Sequence, residues 1–284
     1  MINLADSKSF SHLDPKNVFE STQLLANQCE QIWTDAKNIA FSNDYKNIQN
    51  IVICGMGGSA YGGHVVLSAF KNELKIPVVL NSDYHLPAFV NDSTLVILTS
   101  YSGSTEETLS CAKEAIERNF KISGVTSGGD LGGLLKEHPS LIFNPKNNPS
   151  GQPRLGTGYI VLGTIALLGS LGVLDLSDND IQADIENLRQ DEEKIKEHAI
   201  ETAENLQNNK LRVLNINSAI YSENIKKRFE LTKEVVKKNK IEVLEFMPMG
   251  ETKLSQILKT LSFGGYLTFY LGILYNQDPS LIPW

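Results

Sequence analysis

Ser100-Tyr101-Ser102-Gly103-Ser104-Thr105-Glu106-Glu107-Thr108 follows the apolar run at residues 95–98 and leads into a helix-forming segment from Leu109. The order is strand, hydroxyl-rich turn, helix. The hydroxyls of Ser100, Ser102, Ser104 and Thr105, together with the unpaired N–H groups of a helix start, suit a dianionic phosphate, because donors converge there and the helix dipole is positive. The same residues also read as helix caps followed by an acidic first turn, which any helix accommodates.

A second loop of this kind lies upstream. The strand candidate at residues 51–54 runs into Gly55-Met56-Gly57-Gly58-Ser59-Ala60-Tyr61-Gly62-Gly63, and five glycines in nine residues let a backbone approach a ligand closely. Further strand candidates recur at 77–80, 94–99, 122–125 and 141–143, with helical patterns between them. That alternation predicts a parallel sheet covered on both faces, and both loops then fall at carboxyl ends of strands, where such sheets bind ligands.

The sequence GMGGSAYGG, followed from Ser100 by SYSGSTEETL, resembles the sugar isomerase (SIS) fold and, within it, the bifunctional phosphoglucose/phosphomannose isomerases. The segment Gln152-Pro153-Arg154-Leu155-Gly156-Thr157-Gly158-Tyr159 resembles that family's arginine-bearing segment, and Asp278-Pro279 its near-terminal DP. The resemblance implies an aldose-ketose isomerase working through an enediol. It places the phosphate on Gly57, Gly58, Ser59, Ser100, Ser102 and Thr105, with Arg154 as the cation beside the enediolate, and it implies a homodimer with no cofactor. In that family an asparagine-glutamate segment carrying the base, and then a histidine-bearing segment, lie between the strand resembling LRVLNI and the helix resembling SENIKKRFELTKEVVKKN. Neither is recognisable here, and the family's final lysine-bearing helix lies beyond Pro283-Trp284. The reading is therefore of a chain that binds the phosphosugar with little or no turnover.

The fold class expected is α/β, with two SIS-like doubly wound parallel-sheet subdomains of which the second is short of strands. Residues 1–44 read as a helical lead-in, 45–175 as the phosphosugar-binding domain and 176–284 as the shortened second domain. In the second, charged residues 177–208 carry apolar positions at helical spacing and predict one or two amphipathic helices. Strands at 211–216 and 241–246, a helix at 222–238 and a long helix at 253–275 follow. Two parallel strands leave open edges that a partner copy would cover.

A net charge of −7 offers no basic stripe for a nucleic acid. The cysteines, Cys29, Cys54 and Cys111, are too scattered for a disulfide framework or a zinc site. No signal sequence opens the chain, and its most apolar run, 159–174, is short and interrupted by glycine, so a cytoplasmic location without a membrane span is expected. Of five histidines, His64 follows the glycine loop, but none forms a metal-ligand pair at i, i+4, and no metal is expected. Glu234 with Lys237 has an E-x-x-K spacing inside an ordinary amphipathic helix.

Two other classes compete. Gly55-x-Gly57-x-x-Ala60 after a strand, with Asp83 downstream, fits a relaxed dinucleotide fingerprint but leaves the hydroxyl loop unexplained. A non-catalytic phosphosugar-binding module accounts for both loops and needs no base.

Overall fold

The computed structural model describes residues 2–207 and 210–281, without the side chain of Lys46. It divides into two compact units, one of residues 24–180 and one of residues 1–23 with 181–284. The expected lead-in over 1–44 is thus shared: helix α1 (Val18–Gln23) lies in the second unit and α2 (Leu25–Ala36) in the first.

Residues 24–180 build a five-stranded, all-parallel sheet of β1 (Asn50–Cys54), β2 (Val78–Asn81), β3 (Thr94–Thr99), β4 (Lys121–Thr126) and β5 (Leu141–Ile142), in the order β2-β1-β3-β4-β5. Every residue of β3 is buried. The strand reads TLVILT because a central parallel strand is covered on both faces and cannot alternate apolar with polar. On one face Val52, Val96, Leu98 and Ile122 pack under α4 (Glu106–Glu117) and α5 (Gly129–Leu135) through Cys111, Ala112, Ala115, Leu131 and Leu135. The other face carries α2, α3 (Tyr61–Ala69) and α6 (Thr157–Ser170). Helix α6 is apolar all round and buried along nearly its whole length, as a helix enclosed on every side must be. Close packing there depends on Gly163, where a Cβ would come within 3.0 Å of Val125 and 3.1 Å of Ile32.

The alternation of strand and helix fails at one step. Residues 82–93, between β2 and β3, form no helix; the loop buries Leu86 and Val90 in the α4 face and so does a helix's work with two side chains.

In the unit of residues 1–23 and 181–284, the stretch expected to hold one or two helices is a single helix, α7 (Asp178–Leu206), whose first residues belong to the other unit. Strands β6 (Arg212–Ile216) and β7 (Glu242–Phe246) pair in parallel, with α8 (Glu223–Lys238) between them and α9 (Lys253–Leu274) following. Among the described residues this sheet has two strands, and α8 buries none of its residues. Helix α9 is long and apolar enough to cross a membrane, but its buried residues include Phe263, Tyr266, Phe269, Tyr270 and Ile273, the pattern of a core helix. Phe10 and Phe19 meet it edge-on and tilted, with centroids 5.4 Å and 5.2 Å from the Phe269 ring.

Ile97, fully buried at the centre of the sheet, should cost about 2–5 kcal/mol when cut to alanine. Val79, 37% exposed on β2, should cost no more than about 1 kcal/mol in the same change. Urea denaturation of the two variants checks the contrast.

Candidate functional site

The sheet reverses direction between β1 and β3: the chain moves from β1 outward to β2, then returns to the other side of β1 to begin β3. A crevice opens at the carboxyl ends of the two strands flanking such a reversal. The glycine loop leaves β1 and the hydroxyl loop leaves β3, so both lie at that crevice.

The glycine loop tightens into a single turn at Gly57–Ala60, entered through Gly57 at φ +52°. Gly57 and Gly58 are exposed, and a Cβ on either would meet nothing within 4 Å, so their backbone faces open space. Gly55 has the opposite role. A side chain there would lie 2.3 Å from Thr99 Oγ1, which itself donates to the Cys54 carbonyl at 3.0 Å and locks the two strand ends together.

In the hydroxyl loop, Ser100 is buried, shares a proton with Thr105 at 2.7 Å and accepts the Gly103 N–H at 3.1 Å. Thr105 stands at the N-cap of α4, yet its hydroxyl turns to Ser100 and leaves the first-turn N–H groups of α4 without a side-chain cap. Ser102 and Ser104 are exposed at the mouth and 2.9 Å apart. Gly103 adopts φ +71°, with the Gly128 carbonyl where its Cβ would be.

Tyr101 ties the parts together, and sequence reasoning passed it over. Its N–H donates to Ser59 Oγ at 3.1 Å, and its carbonyl accepts the Ser127 hydroxyl at 2.7 Å. Its phenol accepts from Asn148 Nδ2 at 2.7 Å, and the same amide donates to the Gln152 carbonyl at 2.9 Å. The ring lies against Gly156, where any Cβ would fall 1.9 Å from Tyr101 Cε2. Burial pushes the phenol above its ordinary pKa, so it stays protonated. A tyrosine flanked by serines at a strand end, and an Asn-rich stretch before Arg154, were the available signals.

Arg154 sits in the turn Pro153–Leu155, exposed, with one guanidinium nitrogen 3.3 Å from Gln152 Oε1. The structure therefore brings the segments of Ser59, of Ser100 to Thr105, and of Arg154 into one hydrogen-bonded group through Tyr101 and Asn148. Acidic groups also stand at its edge: Glu107 first, then burial and Glu106, raise the Tyr84 phenol, which donates to Glu106 at 3.3 Å. An anion at this crevice must be held by oriented donors rather than by net charge.

Beneath the glycine loop Asn81 Nδ2 reaches both Cys111 Sγ (3.4 Å) and Cys54 Sγ (3.8 Å). Cys111 and then burial push the Cys54 thiol far up, while Cys54 pulls Cys111 down. His64 lies exposed on α3 and does not join the group around Tyr101, and Glu234 lies exposed on α8 in the other unit. Among the described residues, no three His, Cys, Asp or Glu side chains gather as a metal site would need.

Residues 174–284 match the family model described as bacterial phospho-glucose isomerase C-terminal SIS domain. The chain is 28% identical to a bifunctional phosphoglucose/phosphomannose isomerase of Caldicellulosiruptor bescii, over 93% of this chain and 95% of the relative. To the enzyme of that name from Thermoplasma acidophilum it is 37% identical, over 48% of this chain and 42% of the relative. The C-terminal domain of glucosamine-fructose-6-phosphate aminotransferase from Francisella tularensis superposes with a TM-score of 0.66 at 14% identity, covering 95% and 97% of the two chains, a likeness of fold. The Caldicellulosiruptor alignment spans 326 positions; 93% of 284 residues is about 264, so at about 62 positions the relative has a residue and this chain has none.

The two kinds of glycine should separate in stability. Gly103→Ala forces a side chain into φ +71° and onto a backbone carbonyl, and should cost about 2 kcal/mol or more. Gly58→Ala enters open space and should stay within about 1 kcal/mol of the parent. Thermal unfolding of both variants measures the difference.

Proposed function

We infer that this chain, similar in sequence and fold to SIS-type sugar isomerases, binds a sugar 6-phosphate at the β1/β3 crevice as an aldose-ketose isomerase of the phosphoglucose/phosphomannose type. The observation that carries this is the Tyr101 N–H bond to Ser59 Oγ, which sets the glycine loop and the hydroxyl loop side by side where the sheet reverses.

In this reading the phosphate oxygens accept from Ser102, from Ser59 and from the uncapped N–H groups of α4, while Gly57 and Gly58 let the backbone close in. Ser100 and Thr105 act from behind, their mutual hydrogen bond fixing the loop's shape and leaving one O–H to donate to the ligand. Arg154, exposed at the rim, meets the negative charge that develops on the sugar oxygens as a proton moves between C1 and C2 through the enediol. That transfer needs a carboxylate base. Glu234, the carboxylate weighed from the sequence, lies on α8 in the other unit.

The second reading, binding without turnover, is favoured by the total of about 62 positions at which the Caldicellulosiruptor enzyme has a residue and this chain has none, enough in number to include the base and histidine segments of the family. Losing a general base lowers turnover by a factor of about 10² to 10⁴. The two readings divide on one experiment, a coupled assay with fructose 6-phosphate run beside calorimetric titration with a non-isomerisable sugar phosphate. Turnover of about 1 per second or faster supports the isomerase. Binding without turnover supports the second reading, and neither would remove both.

Ser102→Ala should weaken the sugar phosphate by about 1.5–3 kcal/mol, the worth of one donor to a charged group, with thermal stability unchanged. Unchanged affinity would take Ser102 out of the site.

We further take the working form to be a homodimer, because β6 and β7 leave both edges of a two-stranded sheet unpaired among the described residues. Sedimentation at micromolar concentration should give twice the 31.4 kDa chain mass, and a monomer would refute it.

A further inference from the structure

The unit of residues 1–23 and 181–284 contains a cavity of about 170 Å³ at the carboxyl end of β7, lined by α7, by the loop that follows Phe246 and by α9. Its polar side is built on Lys259. This side chain is 4% exposed, and its ammonium donates to Asp191 Oδ2 at 2.6 Å; the other Asp191 oxygen takes Lys194, 67% exposed, at 2.9 Å. Lys259 and then Lys194 hold Asp191 below the usual carboxylate range, so the carboxylate is charged at neutral pH.

An ammonium has three N–H bonds, and two of those on Lys259 find no acceptor among the described residues. A buried charge with donors to spare has only its one ion pair to offset its desolvation. His198 adds to the imbalance: its ring stands edge-on to Phe246 and Phe263 at 5.4 Å and 5.5 Å, and its nitrogens carry no hydrogen bond among the described residues. Two lysines against one aspartate leave the lining with one net positive charge. The remaining wall is apolar, made by Ile195, Phe246, Met247, Pro248 and Met249, with the two methionines more than half exposed at the lip.

We propose that this cavity is a binding site for a small monoanionic carboxylate with a short apolar chain, its carboxylate accepting from Lys259 and His198 and its chain lying between Phe246 and the two methionines. The charge balance asks for one negative charge, the spare donors ask for a two-oxygen acceptor, and the volume and wall ask for a few carbon atoms rather than a sugar. None of this depends on the β1/β3 crevice.

The test is calorimetric titration of the full chain with isovalerate, acetate and inorganic phosphate, accompanied by NMR of methyl-labelled methionine. Isovalerate should saturate with a dissociation constant of about 1 mM or lower, more tightly than acetate, and should shift the Met247 and Met249 methyl signals. Lys259→Met, which keeps the volume and removes the charge, should weaken it about tenfold or more, and Ser102→Ala should leave it unchanged. Should Lys259→Met fail to fold, the exposed Lys194→Gln must still lower the affinity by removing the net charge. No saturation by isovalerate at about 10 mM overturns the proposal. Saturation without movement of the Met247 and Met249 signals, or phosphate moving those signals where isovalerate does not, overturns it equally.

Discussion

When β3 ends at Thr99 the next amide, Ser100, still finds the Val125 carbonyl, but the N–H of Tyr101 has run out of sheet. A buried backbone donor left without a partner costs about 1–3 kcal/mol, so the chain must supply one. It supplies Ser59 Oγ, from a loop 42 residues earlier. That bond, made where the strand order reverses, fixes the distance between two loops that would otherwise be independent turns on separate strands. The rest of the crevice is arranged around it, because the same tyrosine also holds Ser127 through its carbonyl and Asn148 through its phenol.

Much of the first unit was legible because its signals are local. Buried parallel strands read as short apolar runs, and the strands expected at 51–54, 94–99 and 122–125 match β1, β3 and β4 within a residue at either end. The hydroxyl and glycine loops were legible for the same reason, each being a stretch of nine residues with its own chemistry. Less visible were features set by distant partners. Nothing near Leu86 and Val90 announces that a loop will cover a sheet face, since their burial depends on Val52, Cys54 and Cys111 elsewhere in the chain. Tyr101 looked like an ordinary apolar residue between two serines because its partners, Ser59 and Asn148, lie more than forty residues away on either side. The division of residues 1–44 between two units was hidden similarly: α1 and α2 have like periodicity, and only the faces they meet tell them apart.

The two units use charge in opposed ways. Around the hydroxyl loop, carboxylates on the first turn of α4 stand close to donors that suit an anion, so in the reading proposed above selectivity rests on the number and direction of N–H and O–H groups. In the other unit a buried lysine and a partly buried aspartate form a pair that leaves donors over, and desolvation rather than geometry creates the demand for a ligand.

The aromatic cluster of Phe10, Phe19, Phe269 and Tyr270 has a consequence for synthesis on the ribosome. Its two halves are about 250 residues apart in the chain, and at about 5–20 residues per second the first phenylalanines emerge roughly ten seconds to most of a minute before the rings that bury them. Residues 24–180 can close their own sheet during that interval. Phe10 and Phe19 cannot be covered in that time, and two exposed phenylalanines on a growing chain are the kind of apolar signal that chaperones engage. Of the two segments, the one translated earlier must wait for the later one to reach its place.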